Sequence, residues 1–171
     1  MVDDDADLEI RPATVADAQD IAAVHLASWR EIYTGVIAED YLESLELGRR
    51  TDEWRAALES PGTRTWVAVH EGAVRGFLSL GPSRDEDASA LTQEIYAIYL
   101  EPSAWGSGIA RELVRTVTAE VPPSIPVTLW VLAANDRARH FYRRHGFAVD
   151  GVERIEEIGG AAHREVRYVR S

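Results

Sequence analysis

The spacing of apolar and polar positions changes period several times along this chain. Glu9–Pro12 (EIRP) reads as a short strand. Beyond it Ala18, Ile21, Ala22, His25, Leu26 and Trp29 fall on one side of a helical wheel, which predicts a helix to about Arg30. Thr14 is placed to cap it, and Asp17 supplies an acid where the helix dipole favours one. Tyr33-Thr34-Gly35 breaks the pattern, residues 39–47 and 49–58 predict two helices parted at Gly48, and Ser60-Pro61-Gly62 is a turn.

The period then becomes two. Residues 65–70 and 74–80 predict a hairpin closed by Glu71-Gly72, followed by a polar loop over 81–90. Glu94–Leu100 is apolar on both alternating faces, Ile95, Ala97 and Tyr99 on one and Tyr96, Ile98 and Leu100 on the other, as in a central strand. Pro102 ends it. Helical spacing returns with Ile109, Leu113 and Val117, flanked by Ala110 and Val114, while Arg111, Glu112 and Arg115 take the opposite face. Pro122-Pro123 closes that helix. Val127–Leu132 is a buried strand, and the strand–helix–strand crossover makes it parallel to 94–100. Asn135 caps a last helix that Gly146 ends, and residues 147–158 and 165–170 close the sheet around Gly159-Gly160. These elements make one α/β domain over residues 9–171, behind an acidic tail at 1–8 expected to be disordered.

Composition narrows the chemistry. With no cysteine among 171 residues, thiol catalysis, disulfides and thiolate metal sites are excluded, and no metal ligand set is expected. The net charge of −11 argues against nucleic acid as a partner. It favours a cationic or amine-bearing substrate by steering, although solubility alone explains it as well. No apolar run spans a bilayer and the N-terminus is acidic, so no membrane partner is expected and a cytoplasmic location is the default. Basic residues nevertheless crowd into 137–144 and 164–170.

Candidate chemistry lies between the central strand and its helix, at Trp105-Gly106-Ser107-Gly108-Ile109-Ala110. Glycines before a helix start let an anion reach unpaired backbone N–H groups, and they also serve a plain tight turn. A P-loop would need Lys-Ser/Thr after Gly108, and a dinucleotide fingerprint a small residue at Arg111 and an acid after the next strand. Neither is present, which disfavours a nicotinamide-dependent oxidoreductase.

The loop resembles the acyl-coenzyme A signature of the GNAT superfamily of N-acetyltransferases, Gln/Arg-x-x-Gly-x-Gly/Ala, with Trp105 standing in the Gln/Arg place. Asn135 to Phe147 is similar to the family's Asn-x-x-Ala-x-x-Phe/Leu-Tyr-x-x-x-Gly-Phe at every named position. The resemblance implies a mixed central sheet with splayed parallel central strands, flanked by helices. It implies acetyl-CoA as acyl donor, held by backbone groups of Ile98, Tyr99 and Leu100 along the pantetheine arm. Gly106, Ser107, Gly108, Ile109, Ala110 and Arg111 would hold the pyrophosphate, and Asn135 would touch the cofactor as well as cap its helix. It also implies Tyr142 as the acid that protonates the departing thiolate; packing alone would place a tyrosine there too.

Glu94 is the candidate general base, or else an ordinary surface carboxylate. Some related enzymes carry a glutamate five positions before the asparagine, and here that position is Trp130. Trp29, Tyr33 and Tyr41 are candidates for the acceptor pocket, or for core, and His25 is expected to be packed. The resemblance implies a primary amine of a small molecule or peptide terminus as acceptor, and no motif identifies which one. A non-catalytic acyl-CoA sensor on the same fold is the alternative, and pairing of the last strands into a homodimer stays open.

Overall fold

A computed structural model describes residues 7–170. The expected tail at 1–8 lies outside the described residues except for Asp7 and Leu8, and Leu8 packs against the main core. Seven strands form one sheet in the order β1-β2-β3-β4-β5-β7-β6. They are β1 (Glu9–Pro12), β2 (Arg64–His70), β3 (Ala73–Pro82), β4 (Gln93–Leu100), β5 (Val127–Leu132), β6 (Ala148–Ile158) and β7 (Ala161–Arg170). The helices are α1 (Ala18–Tyr33), α2 (Glu39–Ser44), α3 (Leu47–Glu59), α4 (Ile109–Ala119) and α5 (Asp136–Arg144). No helix among the described residues is long and apolar enough to cross a membrane.

Side-chain chemistry explains most boundaries. Asp17 Oδ2 accepts the Thr14 backbone N–H at 2.8 Å, so the capping pair starts a 3₁₀ turn that runs into α1. Glu71 and Gly72 both have positive φ, 53° and 76°, as a two-residue β2–β3 turn requires. One expected break is misplaced. Gly48 lies in the first turn of α3, and the chain parts instead at Leu45 and Glu46, both extended. Leu45 is anchored in a core cluster with Leu26, Tyr33 and Leu42. First-turn N–H groups lack helical partners anyway, so a glycine there interrupts nothing.

Helices cover both faces of the sheet. Leu113, Val114 and Val117 of α4 and Tyr142 of α5 join Leu78, Ile95, Leu129 and Tyr168 in the main core. On the other face Ile21 and Val24 of α1 meet Val67 and Phe77, with Trp54 of α3 against them.

Two irregularities in β4 create the site. First, β4 and β5 are parallel but pair only at Gln93↔Val127 and Glu94↔Thr128, so from Ile95 onward the β5-facing edge of β4 has no strand beside it. Second, Leu80 pairs with Ile95 and Ser79 with Ala97, which leaves Tyr96 as an extra, bulged residue. The bulge corrects the regular alternation expected for 94–100. Ile95 shares the main-core face with Ile98 and Leu100, whereas Ala97 and Tyr99 turn to the face of α1.

Candidate active site

The splay opens into a cleft of about 710 Å³, within the usual range for ligand pockets. Its walls bring together Ile98, Tyr99 and Leu100 of β4, the loop at Gly106 and Gly108, Ala110 and Arg111 of α4, and Asn135 and Tyr142 at α5. Two predicted loop residues are absent from its lining. Ser107 hydrogen-bonds back to the Ala104 carbonyl, and Ile109 is buried in the main core. Neither side chain therefore takes part in the cleft wall.

Strand geometry sorts the three β4 positions. Glu101 N donates to Arg75 O at 2.9 Å, on the β3 side. Backbone groups alternate sides along a strand, so those of Leu100 and Ile98 face the gap and those of Tyr99 face β3. Tyr99 thus offers the cleft its side chain rather than its main chain. The Leu100 carbonyl is already bonded, accepting from Ser28 Oγ and, at 3.1 Å, from Trp105 Nε1.

Gly106 and Gly108 have φ of 77° and 90°, and Gly108 is the N-cap of α4. A Cβ on either would meet no protein atom within 4 Å, so the left-handed backbone is what requires glycine, and open space remains over the N-terminal amides of α4. Trp105, in the position that departs from the signature, fastens the end of β4 through Leu100 and carries the Arg137 guanidinium 4.5 Å from its ring centroid. Arg137, His140, Arg144 and His145 also line the cleft and were not singled out individually in the sequence. The crowding of basic residues over 137–144 covers Arg137, His140 and Arg144, and His145 lies just beyond it. His145 is held below the usual histidine range by partial burial and by Arg111, Arg144 and Arg115, so this rim is positive in a chain of net charge −11.

Asn135 Oδ1 accepts the Ala138 N–H at 3.1 Å, capping α5. About two helical turns beyond that cap, the Tyr142 ring is packed by Phe141, Phe147 and Tyr168 at centroid distances of 5.3, 5.8 and 6.2 Å. No hydrogen bond from the described residues holds its hydroxyl, and burial, with Tyr99 nearby, raises its pKa far above neutrality.

Glu94 does not line the cleft. It is 6% exposed at the last β4–β5 pair, and its Oε1 accepts the Arg84 N–H at 3.0 Å. Burial raises its pKa above the ordinary carboxylate value; the Arg84 hydrogen bond opposes that rise and the charge of Asp85 adds to it. Trp29 and Tyr33 do not line the cleft either. They meet edge to face at 4.7 Å behind Tyr99, which His25 stacks against at 5.1 Å. Burial also drives the Tyr33 pKa upward. Tyr41 packs with Ile37 and Leu42 near Gly159 of the β6–β7 turn. His25 is packed as expected, its Nδ1 accepting from Trp54 Nε1 at 3.2 Å and its pKa pushed down by burial to about 4.

Comparison with known proteins agrees with this geometry. A model described as the acetyltransferase (GNAT) family matches residues 26–147. An N-acetyltransferase of Bacillus subtilis, YuaI, is 40% identical over 106 residues, 61% of this chain and 58% of that protein, so the alignment spans little more than half of the relative. The peptidyl-lysine N-acetyltransferase YjaB of Escherichia coli is 29% identical over 114 residues, 63% of this chain and 69% of its own. The fold matches the PaiA N-acetyltransferase of Thermoplasma acidophilum, solved with coenzyme A, at a TM-score of 0.72 and 20% identity over 96% of this chain and 98% of that one.

Proposed function

This chain belongs to the GNAT family of acetyltransferases, whose acyl donor is acetyl-CoA, and from that premise we propose that it acetylates a primary amine by direct attack on the thioester. The observation that carries the proposal is the convergence on one cleft of an unpartnered β4 edge, a left-handed glycine N-cap and Tyr142. The pyrophosphate would lie on the amides at the start of α4, where aligned peptide dipoles and Arg111, Arg137 and Arg144 offset its charge. The pantetheine arm would pair along Ile98 and Leu100 as a missing strand would. A gap-facing N–H there would donate to the thioester oxygen and stabilise the oxyanion without reorganising.

The reaction needs two proton transfers. An incoming ammonium loses its proton to Glu94; at about 3.3 Å per residue some 13 Å of strand separates Glu94 from Ile98, so the proton travels through water. The neutral nitrogen then attacks the carbonyl carbon, the C–S bond breaks, and Tyr142 protonates the departing sulfur. Burial keeps Tyr142 protonated at working pH, and the same dry surroundings raise the proton affinity of the thiolate. Products are the N-acetyl amine and free coenzyme A.

The acceptor would approach from the α1 face, where Trp29 and Tyr33 back Tyr99. A lysine side chain is the first acceptor class to try, because YjaB is named for peptidyl-lysine; small amines and peptide N-termini come next. A non-catalytic acyl-CoA sensor would need neither a carboxyl with a raised pKa at Glu94 nor a tyrosine in the cleft. Calorimetric titration with acetyl-CoA, followed by thiol release across those amine classes, separates the readings. Binding with turnover supports transfer, binding without turnover on any amine supports the sensor, and no binding rejects both.

A further inference from the structure

The most heavily bonded side chain among the described residues plays no part in the proposal above. Arg167 of β7 is 8% exposed yet meets three carboxylates. Its Nε donates to Asp150 Oδ2 at 2.7 Å, its Nη1 to Asp87 Oδ1 at 2.7 Å and Asp85 Oδ2 at 3.2 Å, and its Nη2 to Asp87 Oδ2 at 2.8 Å. Asp85 and Asp87 belong to the β3–β4 loop, some 80 residues away in sequence, whereas Asp150 lies at the β6 irregularity between Val149 and Glu153. The indole N–H of Trp130, directly opposite Arg167 in the β5–β7 ladder, completes the cluster by donating to Asp85 Oδ1 at 2.9 Å.

This clamp ends one residue from Arg84, the hydrogen-bond donor to the candidate base. Asp85 is fixed by Arg167 and Trp130, and the preceding Arg84 gives its backbone N–H to Glu94 Oε1 at 3.0 Å. Glu94 pairs with Thr128, two residues before Trp130 on β5, so the base, the indole and Arg167 share one face of the sheet. We infer that Arg167 is a positioning residue for the acetyl transfer: by tying the β3–β4 loop to β7 it aims the Arg84 N–H at Glu94 and sets how readily that carboxylate takes the substrate's proton. A guanidinium suits the task because its planar fork grips Asp87 with two parallel bonds while Nε reaches Asp150, which an ammonium cannot do at once.

The inference rests on Glu94 as the base, but its physical content can be read without turnover. The charged and titratable groups around Glu94 are Arg84 and Asp85 of the loop, Tyr96 of its own strand and Arg154 of β6. Loosening the clamp weakens a hydrogen bond that favours the carboxylate and leaves Asp85 less compensated, and both changes move the Glu94 titration upward. Two substitutions cover the case in which one fails to fold. Arg167→Gln removes the hub, and Asp87→Asn removes half of the bidentate pair at a side chain that is 60% exposed.

In each variant the Glu94 side-chain carboxyl is titrated by carbon-13 NMR and exchange of the Arg84 amide is followed. The expected result is a Glu94 titration displaced upward and Arg84 exchange faster by about 10-fold in Arg167→Gln, with smaller changes of the same sign in Asp87→Asn. The acidic limb of kcat/KM for an accepted amine should move with the titration while KM for acetyl-CoA stays as it was. If both variants only melt earlier, with the Glu94 titration and Arg84 exchange unchanged, Arg167 is a structural staple and the inference is wrong. Failure of the underlying reading looks different: Glu94→Gln would keep full turnover and its acidic limb whatever Arg167 does.

Discussion

The two sides of the β4–β5 opening are built by opposite means. The donor side is backbone work: an unpaired strand edge, a glycine N-cap and the first turn of a helix, rimmed by Arg111, Arg137 and Arg144. The opposite side is side-chain work, with Glu94, Asp85, Asp87, Asp150 and Arg167 converging from β4, a loop, β6 and β7. One side is positive, while the other carries more carboxylates than the guanidinium they surround. A chain of net charge −11 can hold both because the opposing charges are segregated. Backbone sites tolerate changes of side chain and side-chain sites do not, so substitutions on the two sides should differ in what they damage.

The largest effect is expected where the two sides meet. Tyr142→Phe should lower kcat by about 10²- to 10³-fold, the usual range for losing a general acid, with acetyl-CoA affinity unchanged in a calorimetric titration. Because burial keeps this phenol protonated, the loss should be uniform from pH 6 to 9; a loss confined to one end of a pH–rate profile would point to another acid.

On the side-chain side, Glu94→Gln should lower kcat by about 10²-fold and erase the acidic limb of the pH–rate profile. Burial raises the Glu94 pKa in the folded protein, so its stability contribution is greatest at low pH and falls as pH rises from the ordinary carboxylate value through the raised one. Removing the charge therefore should not lower Tm at neutral pH, although activity collapses. A Tm lowered at pH 7 but not at pH 4 would reverse that sign and argue against a carboxyl with a raised pKa.

On the backbone side, Gly108→Ala should cost roughly 1–2 kcal/mol of stability for an alanine held in a left-handed conformation, and it should weaken acetyl-CoA binding because the new Cβ stands in the open space over the α4 amides. Unchanged kcat at saturating donor would mark the damage as binding alone. Any other mild substitution at Ser107, whose side chain turns away to Ala104, should leave affinity within about twofold.

The smallest effects test the frame. Asn135→Ala should cost about 1 kcal/mol of stability through its lost cap, seen in denaturant melts. His25, with its folded pKa depressed to about 4, should remove stability as pH falls from its unfolded value near 6.5 through about 4, and none below. His25→Phe should flatten that part of the stability profile.

The same division governs what the sequence revealed. The donor side is written locally: Gly106, Gly108, Asn135 and Tyr142 sit at fixed spacings in continuous segments, and β1 and β5 begin and end where their composition says. The bulge at Tyr96 was not legible, because nothing in the six apolar residues 95–100 marks which one the neighbouring strand skips. Gly48 misled for a related reason, since a first-turn glycine and a breaking glycine are the same letter. The Arg167 cluster joins Asp85, Asp87 and Asp150 across as many as 82 residues, a proximity that only the folded sheet creates. Sequence offers Trp29 and Tyr33 either to the acceptor pocket or to the core, and the fold sets them behind Tyr99 rather than on the cleft wall.

The most direct measurement is a crystal structure of the protein with coenzyme A. The account predicts the diphosphate on the amides of residues 106–111, the pantetheine arm along Ile98 and Leu100, and the sulfur beside the Tyr142 hydroxyl. A nucleotide bound elsewhere on the fold, or an arm that leaves the β4 edge bare, would contradict it.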